Sequence, residues 1–247
     1  MLQARTTHPS SGTPPKTDAS VPHLRARVGL RFAAVTPLIA ALLFLPAGTV
    51  RWWQGWAFLA VLVPTAVALF LFFLRVDPHL VERRLRAKEQ VRAQKQIMAF
   101  AYLVFAGLLT LPGLDRRLGW SRRWMGAEPL ALNGFALGMV LVALLAVAWV
   151  LWTNRYAGRT IRVEQGQQVI SSGPYRLIRH PMYAFSAVMW IFIPLALGSY
   201  ATLPAFALTL LVYVPRILNE EKILLAELPG YGEYCQKTRW RMVPLVW

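Results

Sequence analysis

The chain is predicted to be an all-α, polytopic membrane protein, and three observations carry that expectation. Apolar residues make up 56% of its 247 residues and mean hydropathy is +0.43. Only 15% of residues are charged, a composition typical of chains that cross a bilayer several times. The apolar residues gather in five segments, with the basic residues in the polar stretches around them.

A spanning helix needs about 20 residues to cross a hydrocarbon core of about 30 Å. Residues 32–50, 54–74, 97–114 and 129–153 each supply one crossing. The fifth segment, 182–215, has 34 residues, too many for one crossing and slightly few for two. Gly198-Ser199 lies at its middle with Pro194 and Pro204 on either side. That pattern predicts a tight hairpin of two short, tilted helices and about six crossings in all. The alternative is one long helix with an interfacial tail.

Basic residues set the orientation. Lys plus Arg number 5 before residue 32, 1 at Arg51, 7 in 75–95, 4 in 116–123, 5 in 155–179, none at Gly198-Ser199 and 5 from Arg216 onward. The alternate stretches with 5, 7, 5 and 5 belong in the cytoplasm. Both termini are expected there, in a bacterial inner membrane. The four Arg between Asp115 and Glu128 are the one count against the pattern. A net charge of +16 often signals nucleic acid, but these residues flank spans and suit anionic lipid headgroups better. Membrane lipids are the expected partner, and nucleic acid is not.

Residues 1–24 lack an apolar core and are rich in Pro, Ser and Thr, so a disordered cytoplasmic tail without a signal peptide is expected. Four spans over 25–153 and a functional region over 154–247 complete the organisation. The lone Cys235 excludes an intrachain disulfide, and the four scattered His argue against a metal site. There is no glycine-rich phosphate loop, no Gly-x-Ser-x-Gly elbow and no repeat of 20 to 50 residues.

Two polar clusters flank the hairpin. The first, residues 173–183, packs two Arg, a His, two Tyr and two Pro where a membrane helix begins, a costly placement unless it serves a site. Gly173-Pro174 reads as a turn. Pro181 suits a first helical turn, which leaves His180 at the cap. The free backbone N–H groups there favour an anion such as a carboxylate. Tyr183 lies about one turn on from His180 and shares its side. Tyr175 and Tyr183 offer ring faces to a flat base or a sulfonium. In the second cluster, 216–228 has an amphipathic helical pattern with Arg216 and Glu220 four apart. Interfacial anchoring for the first cluster and an intrahelical ion pair for the second are the bland alternatives.

Taken together the clusters resemble the isoprenylcysteine carboxyl methyltransferase family and its phospholipid methyltransferase relatives. The matching elements are Gly173-Pro174-Tyr175-Arg176, Arg179-His180-Pro181-x-Tyr183, the hairpin, Arg216-x-x-x-Glu220-Glu221, Tyr231-x-x-Tyr234 and Arg241-x-x-Pro244. The resemblance covers roughly residues 155–247. It implies a membrane-embedded S-adenosyl-L-methionine-dependent methyltransferase with a cofactor pocket at the cytoplasmic face and a prenylated or other lipophilic substrate. On that resemblance Gln167, Gln168, Val169, Ile170, Tyr175, His180, Pro181, Met182 and Tyr183 form the cofactor pocket. Glu220 holds a polar part of the cofactor, and Arg216 orients the acceptor carboxylate; these two are the catalytic candidates. Phe185 departs from the family's usual glycine, and Leu228-Pro229-Gly230 from its usual aromatic-glycine pair.

Methyl transfer from a sulfonium needs alignment and exclusion of water, with no covalent nucleophile. A carboxylate or thiolate acceptor needs no base. An amine acceptor must first lose a proton, for which Glu220 or Glu221 is the candidate. A phospholipid amine or a small thiol is the alternative acceptor. A nicotinamide-dependent sterol-reductase-like enzyme and a non-catalytic membrane factor are rivals of other classes. Asn219-Glu220-Glu221-Lys222 stands where the reductases resemble Arg-Asp followed by Lys-Cys.

Overall fold

The computed structural model describes residues 21–86, 92–126, 129–156, 163 and 166–247, and all regular structure among them is helical. In chain order the helices are α1 (Val21–Ala47), α2 (Trp53–Val76), α3 (Pro78–Arg86), α4 (Arg92–Leu118), α5 (Trp120–Met125), α6 (Leu130–Thr153), α7 (Pro181–Ala196), α8 (Leu203–Leu208), α9 (Tyr213–Glu227) and α10 (Tyr231–Lys237). Four helical stretches are long and apolar enough to cross a membrane: Leu24–Ala47, Trp53–Val76, Leu130–Thr153 and Tyr200–Glu227. The apolar α7 is shorter, with 16 residues.

The first span starts earlier than its apolar run suggests. Residues 1–20 of the expected tail lie outside the described residues, but α1 is already helical from Val21. Leu24 and Val28, four apart, are buried, while Arg25, Arg27 and Arg31 are exposed on the other faces. Arginine is a good helix former whose long stem tolerates this position. Below it α3 buries Leu80 and Val81 against Leu24, Phe73 and Leu74. Asp77 caps α3 by accepting a hydrogen bond from the Leu80 amide at 2.9 Å.

The principal core joins α1, α2, α6 and the hairpin through Leu43, Phe44, Phe58, Val140, Ile193 and Phe206. α6 packs most extensively on α7, and α1 on α4. Backbone contact is closest at Gly113 of α4, where an added Cβ would stand 2.3 Å from the Leu43 carbonyl oxygen. Small residues permit such approach between apolar helices. Many apolar side chains on these helices remain exposed, Leu38, Leu71, Val142 and Leu211 among them, as a lipid-facing surface requires.

The hairpin turns at Leu197, Gly198 and Ser199, with Gly198 at φ +69°. Its second arm is longer than the sequence suggested. The predicted helix over 216–228 is its direct continuation, one helical run from Tyr200 to Glu227. Neither proline stops it. Pro204 lies in the first turn of α8, and Pro215 follows a tightened 3₁₀ turn, Thr209–Val212. Such a turn accommodates the helical bond that proline cannot donate.

The tip of the hairpin is tied to the neighbouring helix ends by polar groups. The buried Asp115 carboxylate accepts from the Ser121 amide at 2.7 Å, the Ser121 hydroxyl, and the Ser199 hydroxyl at 2.6 Å. Asn133 of α6 donates to the Leu195 carbonyl at 2.7 Å and to the Tyr200 hydroxyl at 3.1 Å. These contacts fix one end of the hairpin, and the two polar clusters stand at its other end.

Candidate functional site

At the open end of the hairpin, His180 caps α7 and Pro181 begins it, as the sequence predicts. The short 3₁₀ turn Gly173–Arg176 delivers the chain to this point. Gly173 has φ +56°, and a Cβ there would meet the Thr153 hydroxyl at 2.9 Å. A side chain is thus opposed both by the backbone angle and by the end of α6.

Tyr183 lies one turn after His180, their rings 5.9 Å apart. Its hydroxyl donates to Glu220 Oε2 at 2.9 Å and accepts from Arg216 Nε at 2.8 Å. The phenol therefore stands between the two residues expected to act, and draws both toward α7. Glu221, next in sequence, has a different environment. Buried beside α7, its carboxylate meets His180 Nε2 at 3.2 Å, Arg179 Nη1 at 3.2 Å and Arg241 Nε at 2.8 Å. Engagement by two guanidinium groups and an imidazole suits a structural clasp better than a base. The clasp is extended by backbone: the amides of Arg179 and His180 donate to the carbonyls of Trp240 and Arg241 at 2.9 and 2.8 Å.

A cavity of about 120 Å³ opens between these groups. Gln167, Gln168, Val169, Ile170, Tyr175, His180, Pro181, Met182, Tyr183, Arg216 and Glu220 all line it, so the structure gathers every candidate site residue on one wall system. Asn154, Tyr156, Arg179, Leu224, Leu228, Tyr231 and Tyr234 line it too. Tyr231-x-x-Tyr234 was visible as a motif, although taken alone it suggested only a membrane interface. Asn154 and Arg179 carried no signal separating them from other polar residues at a span's end. Phe185 is half-buried and is not among the lining residues.

The aromatic part of the cavity is held by hydrogen bonds. The Tyr234 hydroxyl donates to the Tyr175 carbonyl at 2.7 Å, and Asn154 Nδ2 donates to the Tyr175 hydroxyl at 3.0 Å. Burial pushes the Tyr175 phenol up to about 12, and burial raises Tyr231 and Tyr234 in the same direction. All three remain neutral at physiological pH. Among the described residues no group of three or more His, Cys, Asp or Glu is placed to hold a metal ion.

Comparison with known proteins identifies the fold first. The chain shares the fold of the eukaryotic intramembrane Ras methyltransferase ICMT, isoprenylcysteine carboxyl methyltransferase, with a TM-score of 0.51 at 16% sequence identity. That likeness covers 93% of this chain and 88% of the other. Residues 132–230 match the model of the phospholipid methyltransferase family. The chain thus has an ICMT-like membrane fold, and its residues 132–230 are similar to the phospholipid methyltransferase family, the resemblance its motifs suggested. It is also 29% identical over 120 residues to the cobalt-zinc-cadmium resistance protein CzcN of Cupriavidus metallidurans. That match takes in 48% of this chain and 51% of the relative, about half the length of each.

Proposed function

We infer that this protein is an integral-membrane methyltransferase that uses S-adenosyl-L-methionine and methylates a lipophilic acceptor, the carboxylate of an isoprenylcysteine-like substrate. The observation that carries the reading is the gathering of both polar clusters on one cavity at the open end of the hairpin. The residues present fit such a cofactor. Tyr175 and Tyr183 supply ring faces, and Glu220 supplies an acceptor for hydroxyl or ammonium donors. S-adenosyl-L-methionine supplies a methyl carbon already activated by its sulfonium, so the protein needs to align the reactants and exclude water. Arg216, positioned by the Tyr183 hydroxyl, orients the anionic acceptor. Exposed apolar side chains of the second hairpin arm, Leu211, Val214 and Leu218 among them, offer the lipid chain a path from the bilayer.

The match to the phospholipid methyltransferase family favours a second acceptor, a phospholipid amine. Such an amine requires a base, and Glu220 fills that role better than Glu221, which is committed to Arg179, His180 and Arg241. Calorimetry on the detergent-solubilised protein tests the cofactor: S-adenosylhomocysteine should bind and NADPH should not. The reverse preference would sink the methyltransferase reading. Extracting lipids and thiols after incubation with methyl-labelled cofactor then identifies the acceptor.

A further inference from the structure

We propose that Trp247 is a positioning residue: its ring fixes the guanidinium of Arg241, and through Arg241 it sets the clasp on Glu221 and the His180 wall of the cavity. The positioning role is independent of the ligand, and its effect on cofactor affinity rests on the methyl-transfer reading above.

The clasp is most open at Arg241. Glu221 Oε1 meets His180 and Arg179, whose side chains are 4% and 10% exposed, while Oε2 meets Arg241 Nε at 2.8 Å. The Arg241 side chain is 32% exposed, so water competes for it, and its long stem has rotamer freedom to lose. A carboxylate held at Oε1 alone is free to twist, and the His180 ring it orients turns with it. The cavity is lined by that ring.

What restrains Arg241 is the chain just after it. Its guanidinium carbon lies over the Trp247 ring, 5.4 Å from the centroid, within range of a cation–π contact. The backbone is shaped to bring the ring back. The amides of Arg241, Met242 and Val243 donate to the Trp247 main-chain oxygen at 2.9, 3.1 and 3.2 Å, and the Trp247 amide donates to the Val243 carbonyl at 3.0 Å. On the way Leu245 takes φ +66°, alone among the described residues other than glycine. That left-handed conformation crowds its Cβ. Leu245 is 84% exposed, so the turn buries nothing there; what it delivers is Trp247. Such strain persists where surrounding contacts over-determine it, here the amides gathered on one oxygen and a ring on a cation.

Trp247→Leu keeps apolar bulk and removes the ring face, whereas Trp247→Phe keeps a face. In detergent-solubilised protein with isotope-labelled arginine, the Arg241 Nε–H signal is identified by its absence in Arg241→Lys. It should exchange slowly with water in wild type and Trp247→Phe, and fast in Trp247→Leu. Affinity for S-adenosylhomocysteine should fall about two- to fivefold in Trp247→Leu, the worth of one such contact at a partly exposed site. Trp247→Phe should stay within about twofold of wild type. Adding Trp247→Leu to Arg241→Ala should cost nothing further, because the ring acts through the guanidinium. A protected Nε–H or an unchanged affinity in Trp247→Leu would overturn the assignment. So would equal losses in the Phe and Leu variants, or a further loss in the double variant, which mark simple packing. A wild type that binds no S-adenosylhomocysteine would overturn the methyltransferase reading, and exchange at Arg241 Nε–H would then decide the positioning role by itself.

Discussion

Tyr183 uses both capacities of one oxygen, donating to Glu220 and accepting from Arg216, and this separates two explanations of the Arg216/Glu220 spacing. As a surface ion pair, either residue would contribute at most about 1 kcal/mol and leave activity nearly intact. As parts of the site they diverge. Arg216→Ala should keep cofactor affinity close to wild type and lower single-turnover methylation. Glu220→Ala should weaken cofactor binding about ten- to a hundredfold, since a hydrogen bond to a charged group is worth about 1.5–3 kcal/mol. Arg216→Lys keeps the charge, loses the planar fork and should rescue only in part. Cofactor affinity measured beside single-turnover methylation decides, and equal small effects in all three would return the pair to a surface role. Much at this scale was legible beforehand because it is local: the His180 cap, Pro181 in the first turn and Tyr183 one turn on follow from spacing alone. The sequence offers Glu220 and Glu221 as equals, because adjacent helical positions point about 100° apart and only the fold shows which of them meets Arg179 and Arg241.

At the scale of elements, α1 and α4 approach through Gly113, where the backbone itself is the neighbour. Backbone cannot rotate aside as a side chain can, so an added methyl must part the helices. Gly113→Ala should destabilise the protein by about 1–3 kcal/mol, the usual cost of overpacking, read as a lower unfolding midpoint in detergent. Gly107 lies on the same helix with nothing within 4 Å of an added Cβ. Gly107→Ala should leave the midpoint unchanged or raise it, through the better helix propensity of alanine. If both substitutions behave alike, the contact with Leu43 has no energetic meaning. The hairpin was readable from Gly198-Ser199 between prolines. Its long second arm was not, because Pro215 looks like a stop until the tightened turn before it is seen.

For the whole molecule, six crossings require α4 and α7 to cross as well as the four long apolar stretches. The 16 residues of α7 rise about 24 Å, short of a core of about 30 Å, and local thinning of the bilayer accommodates such a deficit at modest cost. Reporter fusions after Trp247 and near Gly198 should report opposite sides of the membrane; the same side for both would make the hairpin re-entrant. Alternating Lys and Arg counts give an expected orientation, but which ends of which helices share a cavity depends on contacts between residues far apart in sequence. The clasp on Glu221 is one of them, and it has a consequence for biosynthesis. Arg241 and the carbonyls that receive the Arg179 and His180 amides are translated after both arms of the hairpin. A chain that ends after Lys237 therefore contains every helix of the described residues and lacks the latch on its cavity. Formation of the helices and completion of the site are thus separate events, and S-adenosylhomocysteine should bind the full chain and not a chain shortened to Lys237, as thermal-shift titration of the two would read.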